Sequence, residues 1–267
     1  MKNFHFKIGL ILVCVLTLAA LLAPVIAPYN PRAYALESSF CEPSLQHWFG
    51  CDSNGRDIFS RILFGAQISL GIAVVVTVIS LLSGCVVGLL VGYEGGWLDR
   101  TFLFVSDVLL AFPSFLFALS IAVFFRPSIA NVIWILTLKG WITFARLVRG
   151  QTLALKEREF VLASRVLGVG RMRLFAKHLF PNMLGPVVVN ASFGLAGVIL
   201  VESSLSFLGV GVPPGTPSWG AMLDEGTQYL LIAPHLSVFP GVFIMLVVLG
   251  FNFLGDGLRD KFAPRGR

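Results

Sequence analysis

The stretch KEREFVLASRVLGVGRMRLFAKHLFPN, residues 156–182, is the longest polar interruption in an otherwise apolar chain. Lys156, Arg158, Arg165, Arg171, Arg173 and Lys177 face only Glu157 and Glu159 there. The pattern predicts helix, glycine, helix. Phe160, Val161, Ala163, Ser164, Val166 and Leu167 form an apolar or small band at helical spacing. Gly168 suits the left-handed residue that ends a helix, and Gly170 loosens the joint. A second amphipathic set, Met172, Leu174, Phe175 and Leu179, is expected to stop at Pro181. A basic loop of this kind either rests on anionic lipid headgroups or docks a soluble partner. Ala163 and Ser164 beside the glycine break favour docking, because small side chains let another surface come close.

The rest of the chain says what such a loop interrupts. Of 267 residues, 56% are hydrophobic and only 13% charged. A soluble domain carries about twice that charged fraction. The composition is that of an all-α polytopic membrane protein. The net charge of +6 does not point to nucleic acid, since the basic residues sit between apolar runs. A spanning helix needs about 20 apolar residues. Six stretches qualify: 8–26, 68–92, 101–125, 129–147, 184–208 and 237–254. The first is long enough to span, and Pro24 and Pro28 stand where a signal peptide would have small cleavage-site residues, so an uncleaved helix is expected. The division that follows is a first helix with an outer segment (1–67), a transmembrane core (68–260) and a tail (261–267).

Lys and Arg orient these spans. With the N-terminus inside, inner segments hold Lys2, Lys7, Arg100, Arg146, Arg149, the whole 156–182 stretch, Arg259, Lys261, Arg265 and Arg267. Outer segments hold only Arg32, Arg56, Arg61 and Arg126. Both termini and the basic stretch are therefore expected in the cytoplasm, the basic stretch lying between helices 4 and 5 of six.

Several features inside this frame invite a role. Arg56, Asp57, Ile58, Arg61, Ile62, Leu63 and Phe64 suggest a short amphipathic helix along the membrane surface. Ser80, Gly84, Gly88 and Gly92 form a stripe that admits another backbone, either within the chain or at a pore or subunit contact. Asp107, Lys139 and Glu202 are ionisable residues inside spans, hence functional candidates. Asp107 and Lys139 are each about 10 Å from the same face, at 1.5 Å per residue, and are expected to pair, the alternative being that Lys139 points into a wet cavity or snorkels inward. Glu202 lies near an outer end, where water or headgroups would reach it. Trp219 and Tyr229 read as interface anchors around a short outer helix, 221–231, either a lid or a plain surface helix. Cys41 and Cys51 lie in the outer loop and are a candidate disulfide or two free thiols.

The 156–182 stretch resembles the cytoplasmic coupling loop of ATP-binding cassette importer permeases, with its E-A-A, three residues, G pattern ending in hydrophobic-Pro-Asn. The matching residues are Leu162-Ala163-Ser164, then Gly168, then Leu179-Phe180-Pro181-Asn182. Leu162 replaces the family's first Glu and Ser164 its second Ala. Further blocks resemble the dipeptide/oligopeptide/nickel branch of that family: HWFGCDSNGRDIFSRILFGAQISL, DVLLAFPSFLFAL, ARLVRGQTLALKEREFVLASRVLGV, VESSLSFLGVGVPPGTPSWGAML and FNFLGDGLRD. They cover most of residues 47–260 in the family's order. The resemblance implies a second homologous permease subunit, two cytoplasmic ATPase subunits that bind ATP and Mg2+, and an extracytoplasmic solute-binding protein. It implies a bacterial inner-membrane location. It assigns coupling to Ala163, Ser164, Arg165, Gly168 and Pro181, and cargo to short peptides first, a nickel or other metal chelate second.

Catalytic chemistry is not expected in this chain. No G-x-x-x-x-G-K-[ST] occurs, and no Lys is followed by Ser or Thr. His5, His47, His178 and His235 are scattered, with no metal-ligand spacing. No cofactor is expected. The chain therefore reads as a non-enzymatic transport subunit. A stand-alone channel or ion-coupled transporter would call for paired broken helices. A membrane scaffold would leave the glycine stripe and the buried charges without a purpose.

Overall fold

The computed structural model describes residues 2–262, with side chains from Phe4 to Phe262. Arg265 and Arg267, and all but the first two residues of the expected 261–267 tail, lie outside the described residues. Among the described residues the chain is helical, with one isolated bridge between Cys51 and Asp57 and no strand. The helices in order are α1 (Lys2–Leu21), α2 (Ala23–Ile26), α3 (Ile58–Glu94), α4 (Gly96–Ala111), α5 (Ser114–Ala122) and α6 (Ile129–Lys156). They continue with α7 (Glu159–Val166), α8 (Arg171–Leu174), α9 (Phe180–Phe207), α10 (Trp219–Thr227) and α11 (His235–Phe262). Five helical runs are long and apolar enough to cross a membrane. A sixth crossing exists if α4 and α5 count as one span, which is bent by 81° between them.

That bend corrects the expectation of a continuous third span over 101–125. Pro113 has no N–H to give, and it forces Phe112 into an extended conformation at ψ 134°. The helix ends at Ala111 and restarts at Ser114 on a new axis.

α3 is the longest helix of the bundle, with 37 residues. At 1.5 Å per residue it is about 55 Å long, against a hydrocarbon core of about 30 Å. Asp57 caps the start by accepting from the Ser60 N–H at 2.7 Å. The expected separate surface helix near residues 56–64 does not exist, because those residues are the continuous beginning of α3.

α6 lies parallel to α3 along the glycine stripe. A Cβ on Gly84 would stand 2.5 Å from the Trp141 carbonyl, and one on Gly92 2.9 Å from the Arg149 carbonyl. One on Gly88 would overlap the Ala145 carbonyl. Ser80 meets Gly140 in the same row. Of the two uses open to the stripe, packing within the chain is the one it serves. α1 packs antiparallel on α11, with Phe6 against Gly257 and Leu12 and Val13 against Gly250. This brings the start of α1 beside the end of α11.

The helix expected to stop at Pro181 continues. α8, a turn of π-helix at Phe175–Leu179 and α9 form one run from Arg171 to Phe207. The Phe180 N–H bonds to the Phe175 carbonyl, so Pro181 falls in the first turn of α9, where its missing N–H costs little. Asn182 Nδ2 donates to the His178 carbonyl at 2.7 Å, which occupies an acceptor on the turn.

The stripe yields a paired prediction. Gly88→Ala drives a methyl into the α6 backbone and is expected to destabilise by about 1–3 kcal/mol. Gly150→Ala meets nothing within 4 Å and is expected to stabilise α6 by about 0.5–1 kcal/mol through helix propensity. Thermal unfolding of the two variants in detergent should move in opposite directions.

Candidate functional site

Three groups of residues stand out from the fold: an elbow between α6 and α9, a cavity in the bundle, and a charged cluster at the opposite end.

The elbow begins where α6 ends at Lys156. α7 is closed by a glycine turn: the Gly168 N–H bonds to Arg165 O at 2.9 Å, and Val169 N–H to Ser164 O at 3.1 Å. Gly168 sits at φ 73°, the left-handed conformation that this double-bonded helix end requires. Val161, Leu174 and Leu179 are buried against Cys85 of α3, Val148 of α6 and Met183 and Val187 of α9. Ser164 is buried with them, its Oγ donating to Phe160 O at 2.7 Å. The expected apolar band therefore splits. Val161 and Ser164 face the bundle, whereas Val166, Leu167 and, across the turn, Met172 stand almost fully exposed. Ala163, Arg165 and Pro181 are also exposed. Arg171 donates to Glu94 at 2.6 Å, and Arg165 stacks over Tyr93 at 4.7 Å. Arg158, Arg173 and Lys177 are exposed and make no ion pair among the described residues. The result is an apolar knob in a basic collar, fixed to the end of α3.

Asp107 and Lys139 do not meet. Asp107 pairs with Arg146, which also donates to Ser106 Oγ at 2.7 Å. Lys139 Nζ donates instead to the Phe112 carbonyl, which is released by the α4–α5 break. The expected pairing took Arg100 and Arg146 as helix ends, but α4 starts at Gly96 and α6 runs on to Lys156. The true register sets Arg146 at the level of Asp107 and Lys139 two turns away. Lys139 lines a cavity of about 340 Å3 bounded by α3, α5, α6 and α9.

Glu202 does not reach water either. It is fully buried, accepts from Ser206 Oγ at 2.8 Å, and is roofed by α10, whose Gly220 touches the Ser203 backbone. Trp219 is not an interface anchor. It is completely enclosed and its indole N–H donates to the Ile62 carbonyl at 3.1 Å. Tyr229 is partly buried, its ring edge-on to Phe40 at 4.8 Å.

At that end the sequence concealed a buried ionic cluster. Arg56 donates to Asp52 at 2.7 Å and to Glu225 at 2.8 Å. Arg61 donates to Glu225 at 2.7 Å and pairs with Asp52. Arg61 is only 2% exposed, so neither arginine lies among headgroups as a surface helix would have placed it. The signal available was the acid Asp52 just upstream, but Glu225 is 164 residues from Arg61 in sequence. Cys41 and Cys51 are joined by a disulfide beside this cluster, with Cα atoms 4.8 Å apart. A ring nitrogen of His47 lies within 4.8 Å of both sulfurs, but they are spent in that bond, and its Nδ1 lies 2.9 Å from Asp57.

A bundle of five to six apolar spans, interrupted by a basic elbow, defines a multi-pass membrane component. The chain belongs to the family described as binding-protein-dependent transport system inner membrane component, whose match covers residues 84–267. Residues 1–43 match the N-terminal TM domain of oligopeptide transport permease C. The chain is 39% identical over 264 residues to the dipeptide transport system permease protein DppC of Alkalihalophilus pseudofirmus, covering 99% of this chain and 87% of that one. It is 45% identical over 254 residues to the glutathione transport system permease protein GsiD of Shigella dysenteriae, and equally to that of an Escherichia coli strain, covering 95% of this chain and 84% of each relative. It is thus a bacterial inner-membrane permease subunit of an ATP-binding cassette importer, a class whose permeases are not themselves enzymes.

The ionic cluster gives a second prediction. Asp52→Ala leaves two buried guanidiniums with Glu225 alone and is expected to cost on the order of 3 kcal/mol. Thermal melts of the purified variant should show the loss. An unchanged midpoint would mean that water already screens the cluster.

Proposed function

We propose that the α7–α8 elbow is the coupling element of the importer and faces the cytoplasm together with both termini. The Lys and Arg distribution supports the orientation. The elbow's form supports the coupling. Val166, Leu167 and Met172 are large apolar side chains in full exposure, ringed by Arg158, Arg165, Arg173 and Lys177. An apolar knob with a polar rim has the anatomy of a protein-binding surface, whereas a headgroup contact needs only the charge. Among the residues assigned by sequence, Ala163, Arg165 and Pro181 are on the outward side and Gly168 sets the turn. Ser164 acts from within, by holding α7 against the bundle.

The partners in this reading are a second homologous permease subunit, two ATPase subunits that supply ATP, Mg2+ and hydrolysis, and an extracytoplasmic solute-binding protein. Each ATPase grips an elbow. Its closing pushes the knob, and the contacts of Val161, Leu174 and Leu179 with α3, α6 and α9 pass the displacement to the spans. The cargo is a short peptide, a reading supported by relatives named for dipeptide and glutathione transport. The surrounding lipid contributes only solvent.

The observation that carries this proposal is the exposed knob, and it can be removed without touching the core. Leu167→Glu is expected to leave expression and thermal stability unchanged and to lower cargo-stimulated ATP hydrolysis by the reconstituted complex at least tenfold. Gly168→Leu should act similarly by straining the φ 73° turn. Full stimulation in a well-expressed Leu167→Glu complex would reduce the elbow to a membrane-surface element.

A further inference from the structure

The cavity bounded by α3, α5, α6 and α9 is equipped for a negative charge that the chain does not provide. Lys139 is only 7% exposed, and its ammonium also lies 5.8 Å from the centre of the Phe117 ring. Among the described residues, no acidic one lines the cavity. Two carboxylates of the surrounding spans are already engaged, Asp107 of α4 by Arg146 and Glu202 of α9 by Ser206. Among the described residues the one oxygen that holds Lys139 is the neutral Phe112 carbonyl, a weak counterweight for a cation at membrane depth.

Two further features converge on the same space. Thr77 and Ser80, 5% and 1% exposed, are among the residues lining the cavity, and their hydroxyls have no hydrogen-bond partner among the described residues. Buried hydroxyls without partners are costly, so their persistence points to a missing acceptor. α5 also opens on the cavity at Ser114, and its first turn has no side-chain cap. The first N–H groups of a helix lack partners within it and carry the positive end of its dipole. A carboxylate offers about four acceptor sites, which the ammonium, the two hydroxyls and these N–H groups can fill.

We propose that this cavity is an anion station on the translocation path, in which Lys139, Thr77, Ser80 and the start of α5 receive a carboxylate of the passing cargo. This rests on the importer reading above and adds a substrate class to it: peptides with a free terminal carboxylate. On arrival the carboxylate takes the ammonium from the Phe112 carbonyl, so occupancy of the station loosens the clamp on the α4–α5 break.

The first test does not depend on transport. The assembled complex, in phosphatidylcholine nanodiscs without binding protein or ATP, is reductively methylated, and the rate at Lys139 is read by mass spectrometry. Trialanine is expected to slow that rate at least fivefold and trialanine amide to leave it unchanged. Equal protection by the amide, or none by either peptide, overturns the station. Protection by phosphatidylglycerol in the bilayer, with trialanine adding nothing, assigns the site to lipid phosphate and overturns it as well. In proteoliposomes with the full system, Lys139→Gln should lower trialanine uptake about tenfold relative to amide uptake, and Lys139→Arg should restore it within twofold. An equal fall for acid and amide would mean that Lys139 only clamps the Phe112 carbonyl, which also sinks the proposal. If the wild-type complex takes up neither peptide while trialanine still protects Lys139, the peptide-importer reading fails and the station stands.

Discussion

The bundle depends on a single close approach, the parallel contact of α3 and α6 at Gly84, Gly88 and Gly92. Lipid tails are as apolar as leucine, so helices in a membrane gain little from hydrophobicity when they associate. They gain from van der Waals contact, which grows as backbones near each other. Three glycines without side chains let the α6 carbonyls of Trp141, Ala145 and Arg149 settle onto α3. The depth of α6 then sets what it offers its neighbours. Lys139 arrives opposite the broken carbonyl of Phe112, Arg146 opposite Asp107, and Arg149 beside Asp99, donating to its Oδ2 at 2.6 Å. The elbow depends on the same contact, since Cys85 and Val148 form part of its apolar seat.

The two ends of the chain are built to different rules. At the elbow, burial is thin and the charges are mostly solvated. At the other end, a disulfide, a buried four-membered ionic cluster and an enclosed tryptophan tie the loop before α3 to α10. Segments outside the bilayer compete with water for every hydrogen bond. Here the competition is settled by burying Asp52, Arg56 and Arg61 together, with each charge compensated by its neighbours.

Much of the architecture could be read from local chemistry. Apolar length revealed the spans, the Gly168 break marked the elbow, and spacing marked the Ser80–Gly92 stripe. What could not be read was register and partnership. Pro113 was visible, but a proline either kinks a helix or ends it, and only the path of the chain decides. Pro181 reads as a stop because proline breaks helix interiors, whereas the π turn before it places it in the first turn of α9. Asp107 and Lys139 were paired from estimated depths, and an error of two turns exchanged the partner. Arg56 and Arg61 read as part of a membrane-surface helix because Glu225, which holds them, is far along the chain. The facing of the candidate coupling residues was not legible: Ser164 and Ala163 are neighbours in sequence, yet Ser164 is buried against the bundle and Ala163 is exposed.

The π turn at Phe175–Leu179 has a consequence for phase. One residue in excess of α-helical winding rotates everything before it by about 100° relative to the axis of α9. The elbow's azimuth is thereby decoupled from the face that α9 presents to the bundle. Leu174 can be buried and Met172 exposed without any change in which side of α9 carries Met183 and Val187. In an aligned set of sequences such a device would look like an insertion of one residue with no loop to hold it. Removing that residue would leave two intact helices of unchanged composition, with the knob turned a quarter of the way around from the direction in which it now projects.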